Sequence, residues 1–292
     1  MDTLHHIISF SFLLRNSVYT SVLIGFACPL VGVFLVLRRL VFVGVALPQI
    51  SSTGIALSLS LPLWLGFQVT SQTGHTLAFI GSTVFSVVAI LILALMERRG
   101  RGLPEGRLGT VYVVAAAVSI LLLSKNRFAE LGWLDLLKGE VITISNFDLI
   151  LTAATLALVL VMLSVFKKEL LLVSYDRVFA ITLGKHVVLW DMLLYLLIGL
   201  TVSMAVLSVG PLIAFGFLLI PALTAQMFAR NMRQLTAFAS LVGGAAAFIG
   251  FWLAYQWDLP VGPTDVALLG VIYAAVFLIL KIIGLTKKIF II

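Results

Sequence analysis

The chain has 292 residues, of which 62% are hydrophobic and 11% charged, with a formal net charge of +7 and a mean hydropathy of +1.20. A soluble domain carries about 25% charged residues, so a water-soluble globule is excluded, and repeated apolar runs mark an all-α, polytopic transmembrane helical bundle. The single cysteine, Cys28, excludes an internal disulfide and a multi-cysteine metal site.

The N-terminus lacks a basic stretch ahead of its first apolar segment, so no cleavable signal peptide is expected. Residues 5–14 are apolar but too short to cross a bilayer and are expected to lie along the interface. Spans are predicted at about 18–37, 42–66, 77–95, 109–124, 148–166, 191–208, 211–228, 235–254 and 265–283, a count of eight or nine depending on how 5–14 and 109–124 insert. Orientation follows from the basic residues. Arg38 and Arg39; Arg98, Arg99, Arg101 and Arg107; Lys167, Lys168, Arg177 and Lys185; Arg230 and Arg233; and Lys281, Lys287 and Lys288 all fall in alternate loops. Only Arg15, Lys125, Arg127 and Lys138 fall on the other side. The first set is therefore cytoplasmic and the C-terminus inside. The excess charge is topological and implies no nucleic-acid partner.

Arg38 and Arg39 stand at the foot of an apolar run that contains Gly44, Pro48, Gln49, Ser51, Ser52, Thr53 and Gly54. Lipid-buried segments avoid such residues unless they face protein or a water-filled lane, so any cargo is expected to be felt on this helix. The segment Lys125 to Asn146 is more polar, with Trp133 placed at outer headgroup depth. The connection Lys167 to Asp191 is the longest on the cytoplasmic side. Within it, Tyr175 to Gly184 reads as a short amphipathic helix, with Asp176 at its N-terminal pole and Gly184 at its C-cap. Such a helix either docks a cytoplasmic partner or covers the bundle.

Ser208-Val209-Gly210-Pro211 leaves almost no loop between two spans, so they form a tight hairpin or one broken helix. Pro221, Ala222, Thr224 and Ala225 interrupt the following span. Small residues at that spacing let helices approach closely, and proline frees a carbonyl that a neighbour must satisfy. The histidines supply no metal site: His5 and His6 are adjacent near the N-terminus, His75 is in an outer loop, and His186 lies beside Lys185. Asp191 and Asp265 fall at span ends, where solvent contact is expected.

Three sets of fragments, in this order, carry a family resemblance. The first is Val36-Leu37-Arg38-Arg39, then Gly44-x-Ala46-Leu47 and Gly54-Ile55-Ala56-Leu57. The second is Leu137-x-Gly139-x-x-x-Thr143-x-Ser145-x-x-Asp148, followed by Tyr175-Asp176-x-x-x-Ala180-x-x-x-Gly184. The third is Val209-Gly210-Pro211-Leu212, Leu219-Ile220-Pro221-Ala222-x-x-Ala225 and Asp258-x-Pro260-x-Gly262-Pro263. Over nearly its whole length the chain resembles the integral-membrane permease subunit of ABC-type metal-ion importers, the zinc, manganese and iron permeases of the ABC-3 family.

The resemblance implies a single permease domain over 1–292, in the cytoplasmic membrane of a bacterium. It implies a second permease copy, giving a homodimer or a heterodimer of similar chains, a cytoplasmic ABC ATPase dimer, and a periplasmic or lipoprotein substrate-binding protein. It makes the loop at about 167–190 the site of a coupling helix, with Tyr175, Asp176, Arg177, Ala180 and Gly184 contacting the ATPase. ATP and Mg would sit on that partner. This chain has no glycine-rich phosphate loop ending in Lys-Ser/Thr, so it needs no cofactor of its own and is not expected to be an enzyme.

The family's usual Asp and His, four residues apart on one helical face, would suit a divalent cation. Here those positions hold Val45 and Gln49. Valine cannot ligate, and Gln49 is a weak, neutral oxygen donor; its other role would be an interhelical hydrogen bond. With Ser52, Thr53, Pro221 and Thr224, these residues are expected to line a neutral translocation lane. A divalent metal is the favoured cargo, with a metal chelate or other small solute as the alternative. An ion-coupled secondary transporter calls for a buried acid or lysine in mid-span, and none falls there. No His-Glu-x-x-His, Gly-x-Ser-x-Gly or paired central aspartates point to an intramembrane enzyme.

Overall fold

The computed structural model describes residues 14–64, 71–98, 105–124 and 144–283. The expectations for 5–14, for His5 and His6 and for Trp133 lie outside the described residues.

Within them the chain is helical, and the helices follow the predicted spans closely. They are α1 Arg15–Leu37, α2 Val41–Trp64, α3 Ser71–Arg98, α4 Glu105–Ser124, α5 Asn146–Val165, α6 Lys167–Tyr175, α7 Arg177–Thr182, α8 Val187–Val209, α9 Pro211–Gln226, α10 Met232–Gln256 and α11 Val261–Ile282. Eight are long and apolar enough to cross a membrane, α4 among them. Of the nine predicted spans the exception is α9, with 16 residues. At 1.5 Å per residue it covers about 24 Å, less than a hydrocarbon core of about 30 Å. His75 lies within α3 rather than in a loop.

Local sequence explains several ends. Ser145 caps α5: its hydroxyl accepts from the Asp148 N–H at 3.1 Å and donates to the Asp148 carboxylate at 2.7 Å. Asn231 caps α10 by accepting from the Gln234 N–H, while Gln234 Oε1 accepts from the Arg230 N–H. In each, the N-cap side-chain oxygen satisfies an orphan N–H of the first helical turn. Gly210 ends α8 and begins α9 with φ 87° and ψ 165°, a conformation open essentially to glycine alone. Pro211 follows at the first helical position, where its missing N–H costs nothing.

Two groups of helices emerge. In one, α2 packs on α3 and α4, and α3 packs on α8; in the other, α9 and α10 pack on each other and each packs on α1 and α11. Contacts of α1 with α8, of α2 with α9, and of α5 with α1 and α8 join them. The seams are built on small residues, since lipid supplies no hydrophobic drive between helices and close backbone approach must do the holding. A Cβ on Gly32 in α1 would meet the Leu218 carbonyl of α9, and one on Gly243 in α10 would meet the Gly25 carbonyl of α1. Gly54 of α2 and Gly81 of α3 oppose each other in the same way. The most enclosed spans are α1 and α8, and the least enclosed is α11.

Candidate translocation lane and coupling surface

The predicted lane residues occupy two helices. Val45 and Gln49 lie one turn apart on α2 and are both half-buried. Ser52, fully buried, donates to the Gln49 carbonyl at 2.8 Å and lies 3.3 Å from Gln49 Oε1. Thr53 Oγ1 reaches the Gln49 carbonyl and the Ala115 carbonyl of α4, each at 2.9 Å. Both hydroxyls are thus engaged by backbone carbonyls, the local competition that serine and threonine enter in helices. Among the described residues the Gln49 amide makes no interhelical hydrogen bond; its side-chain hydrogen-bond partner is Ser52. On α9, Pro221 is buried and Thr224, fully buried, donates to the Ile220 carbonyl at 2.7 Å. Val45 and Gln49 are therefore the more open members of the set, while Ser52, Pro221 and Thr224 are enclosed in packing. No group of three His, Cys, Asp or Glu side chains could hold a metal among the described residues.

A hydroxyl cluster that sequence reading missed lies beside this face. The Ser51 and Ser82 hydroxyls are 2.6 Å apart, Ser82 donates to the Ser203 carbonyl at 3.1 Å, and Thr83 and Ser203 share a 2.9 Å bond. It ties α2, α3 and α8 together at depth. Its members are scattered along the chain, and only their shared lack of apolar character hinted at it.

At the inner end, the structure reverses the expectation for Asp191. Its side chain is 7% exposed, and Arg38 Nη1 reaches it at 2.8 Å. Arg177 Nη2 reaches its other oxygen at 3.3 Å. Arg38, itself 8% exposed, also donates through Nε to Ser174 Oγ at 3.0 Å and sits 5.4 Å above the Tyr195 ring. Buried charges require such pairing, because desolvation of an isolated ion costs several kcal/mol. The ends of α1 and α6, the start of α7 and the first turns of α8 thus meet at one carboxylate. The solvent expectation for Asp265 is overturned too. In the second turn of α11 it is fully buried, packed against Gly250 of α10, with Ser21 of α1 facing it outside strict hydrogen-bond geometry.

The segment expected to form the coupling helix spans the end of one short helix and the whole of a second. Tyr175 ends α6, and Asp176, in extended backbone, caps α7 by accepting from the Phe179 N–H at 2.8 Å. At the far end Gly184, with φ +69°, donates to the Ile181 carbonyl while the Lys185 N–H reaches back to the Ala180 carbonyl, a Schellman stop. Ala180 is fully buried against Val173 and Val187. Tyr175 (86%), Val178 (73%) and Phe179 (51%) are exposed, as are Ile181 and Leu183. The sequence pattern placed both ends correctly; what it could not show is that the side chain which anchors the helix is an alanine.

Two variants test this local geometry. Asp176→Ala should weaken α7 by about 1 kcal/mol through loss of its cap, and Gly184→Ala by about 1–2 kcal/mol through the left-handed backbone. Both should appear as faster amide exchange at Phe179 and Ala180 with the bundle's helix content unchanged. Unaltered exchange would show that the caps do not hold this helix.

The chain matches the ABC 3 transport family over residues 10–280. It is 26% identical over 266 residues to the manganese import system permease protein ScaB of Streptococcus gordonii, covering 91% of each chain. It is 25% identical over 283 residues to the manganese transport system membrane protein MntD of Bacillus subtilis, covering 92% of this chain and 93% of that one. Its fold is that of a chain in the structure of PsaBC from Streptococcus pneumoniae in complex with Fab, with a TM-score of 0.76, 23% identity and 94% of each chain covered. With its apolar spans and its length-wide match, the chain belongs to the ABC 3 transport family of multi-pass membrane permeases.

Proposed function

We propose that the chain is the permease of an ATP-driven importer in a bacterial cytoplasmic membrane, and that its cargo is a divalent metal ion delivered by an external binding protein. It works as a pair of permease chains above two cytoplasmic ATPase subunits, which hold ATP and Mg. The observation that carries this reading is α7, a capped apolar knob pinned to the bundle by Ala180 and offered outward through Tyr175, Val178 and Phe179. Large exposed apolar side chains beside an arginine are the composition of an interface hot spot. The metal cargo is supported by the manganese permeases among the relatives.

The test is ATP hydrolysis by the assembled complex in lipid with its binding protein. Manganese, zinc or iron on that protein is expected to stimulate turnover several-fold; no response to any of the three would sink the metal reading. The neutral Val45–Gln49 face favours one alternative, a chelated metal or other uncharged solute, which would stimulate where free ions fail. Gln49→Leu keeps the backbone carbonyl that Ser52 and Thr53 use, so thermal stability should hold. Uptake into proteoliposomes should fall about tenfold, the scale of one lost hydrogen bond of about 1.4 kcal/mol to a passing solute. Unchanged uptake would remove Gln49 from the lane.

A further inference from the structure

Beside the coupling surface is a polar cleft of about 220 Å³, lined by Arg38, Arg39, Ser174, Tyr175, Arg177 and Asp191. Three guanidiniums face one carboxylate there. Asp191 pairs with Arg38 through Nη1 and takes one contact from Arg177. Among the described residues Arg38 Nη2 has no acceptor, and Arg177 has no other ion pair or hydrogen bond. Arg39, exposed and held at the cleft by a left-handed backbone (φ 58°), has none either. A residue other than glycine in that conformation is uncommon. Here it follows from the Schellman turn that ends α1, in which the Leu40 N–H reaches the Leu35 carbonyl at 2.9 Å.

We propose that this cleft is an oxyanion site that receives a carboxylate side chain of the cytoplasmic ATPase subunit. Arg39 and Arg177 would grip it, and Arg38 would stand behind them. Planar guanidinium forks suit a carboxylate, which they can bind through paired hydrogen bonds. Two features favour a protein carboxylate over a lipid phosphate. The cleft lies at the foot of α1, one of the two most enclosed spans, so it opens under the bundle rather than at its lipid-facing rim. It is also continuous with the exposed knob, since Tyr175 and Arg177 belong to both. The ATPase groove that takes Val178 and Phe179 therefore carries an acidic residue on the flank nearest Arg39. This inference rests on the ATPase partnership proposed above and adds where the partner's charge must lie.

The experiment measures binding of the co-expressed ATPase subunit to the full chain in nanodiscs, at low and moderate salt. Arg39→Gln breaks no ion pair and should lower affinity about tenfold and flatten the salt dependence. Arg107→Gln, an exposed inner-side arginine on α4, should do neither. Equal losses in both variants would mean general charge attraction and would overturn the site. If Phe179→Ala abolishes binding while Arg39→Gln leaves it intact, the knob reading stands and the carboxylate site falls. If Arg39→Gln instead abolishes stabilisation by anionic lipid with ATPase binding unchanged, the occupant is a headgroup and the proposal is wrong. A wild-type chain that binds no ATPase would overturn the partnership itself.

Discussion

Asp191→Ala is expected to lower stability by about 3–5 kcal/mol, because it strands a buried guanidinium with no counter-charge. Arg38 is held by three different groups, and its ion pair with Asp191 is the shortest of those contacts. Arg177→Ala should cost far less, about 0–1 kcal/mol, since that side chain is 42% exposed and its contact is 3.3 Å. Arg38→Met combined with Asp191→Leu, which removes both charges and keeps the volume, should recover most of the loss. Thermal unfolding in detergent gives the order directly: Asp191→Ala lowest, the double variant well above it, Arg177→Ala near wild type. An Asp191→Ala protein that melts with the wild type would show that the cluster bears no net energy. On the reading proposed above, the Arg177→Ala chain, folded but without its contact to Asp191, should bind the ATPase more weakly and transport poorly in proteoliposomes.

Gly32→Ala should be the most damaging of the single-methyl substitutions. Its Cβ would meet the Leu218 backbone carbonyl, and a carbonyl in a helix cannot swing aside as a side chain can. The helices α1 and α9 must separate, at about 1–3 kcal/mol for overpacking. The disturbance should spread to the neighbouring seam, because Leu218 and Leu219 also lie where a Cβ on Gly44 of α2 would meet them at 3.2–3.4 Å. Gly270→Ala is the matched control. Among the described residues nothing lies within 4 Å of a Cβ there, so it should be neutral or stabilising by up to about 1 kcal/mol. The two melting temperatures should therefore move in opposite directions, and a shared direction would show that packing is not what glycine supplies at position 32.

The span pattern was legible because apolar length and the sidedness of lysine and arginine are properties of contiguous sequence. So were the ends of α7, since Asp176 and Gly184 act within one turn of their own positions. Asp191 and Asp265 were misread for the opposite reason. Each stands near the end of an apolar run, and nothing local distinguishes a carboxylate in water from one covered by a distant helix. Arg38 reaches Asp191 from the first span, and Gly250 and Ser21 close over Asp265 from two others. Of the predicted lane residues, only their placement on a face was legible. Val45 and Gln49 share one face as their spacing required, but the carbonyls that engage Ser52 and Thr53 were foreseeable only as a general habit of such residues.

The serine–threonine cluster between α2, α3 and α8 has a mechanical consequence. Ser82 donates to the Ser203 carbonyl and the Ser203 hydroxyl donates to Ser82, which leaves Ser51 and Thr83 as donors into the cluster, and no member carries a charge. The junction at Asp191 rests on charges instead. The junction between helices is therefore ionic where the bundle meets the cytoplasm and hydroxyl-paired at depth, so removing a charge should loosen the first and leave the second intact.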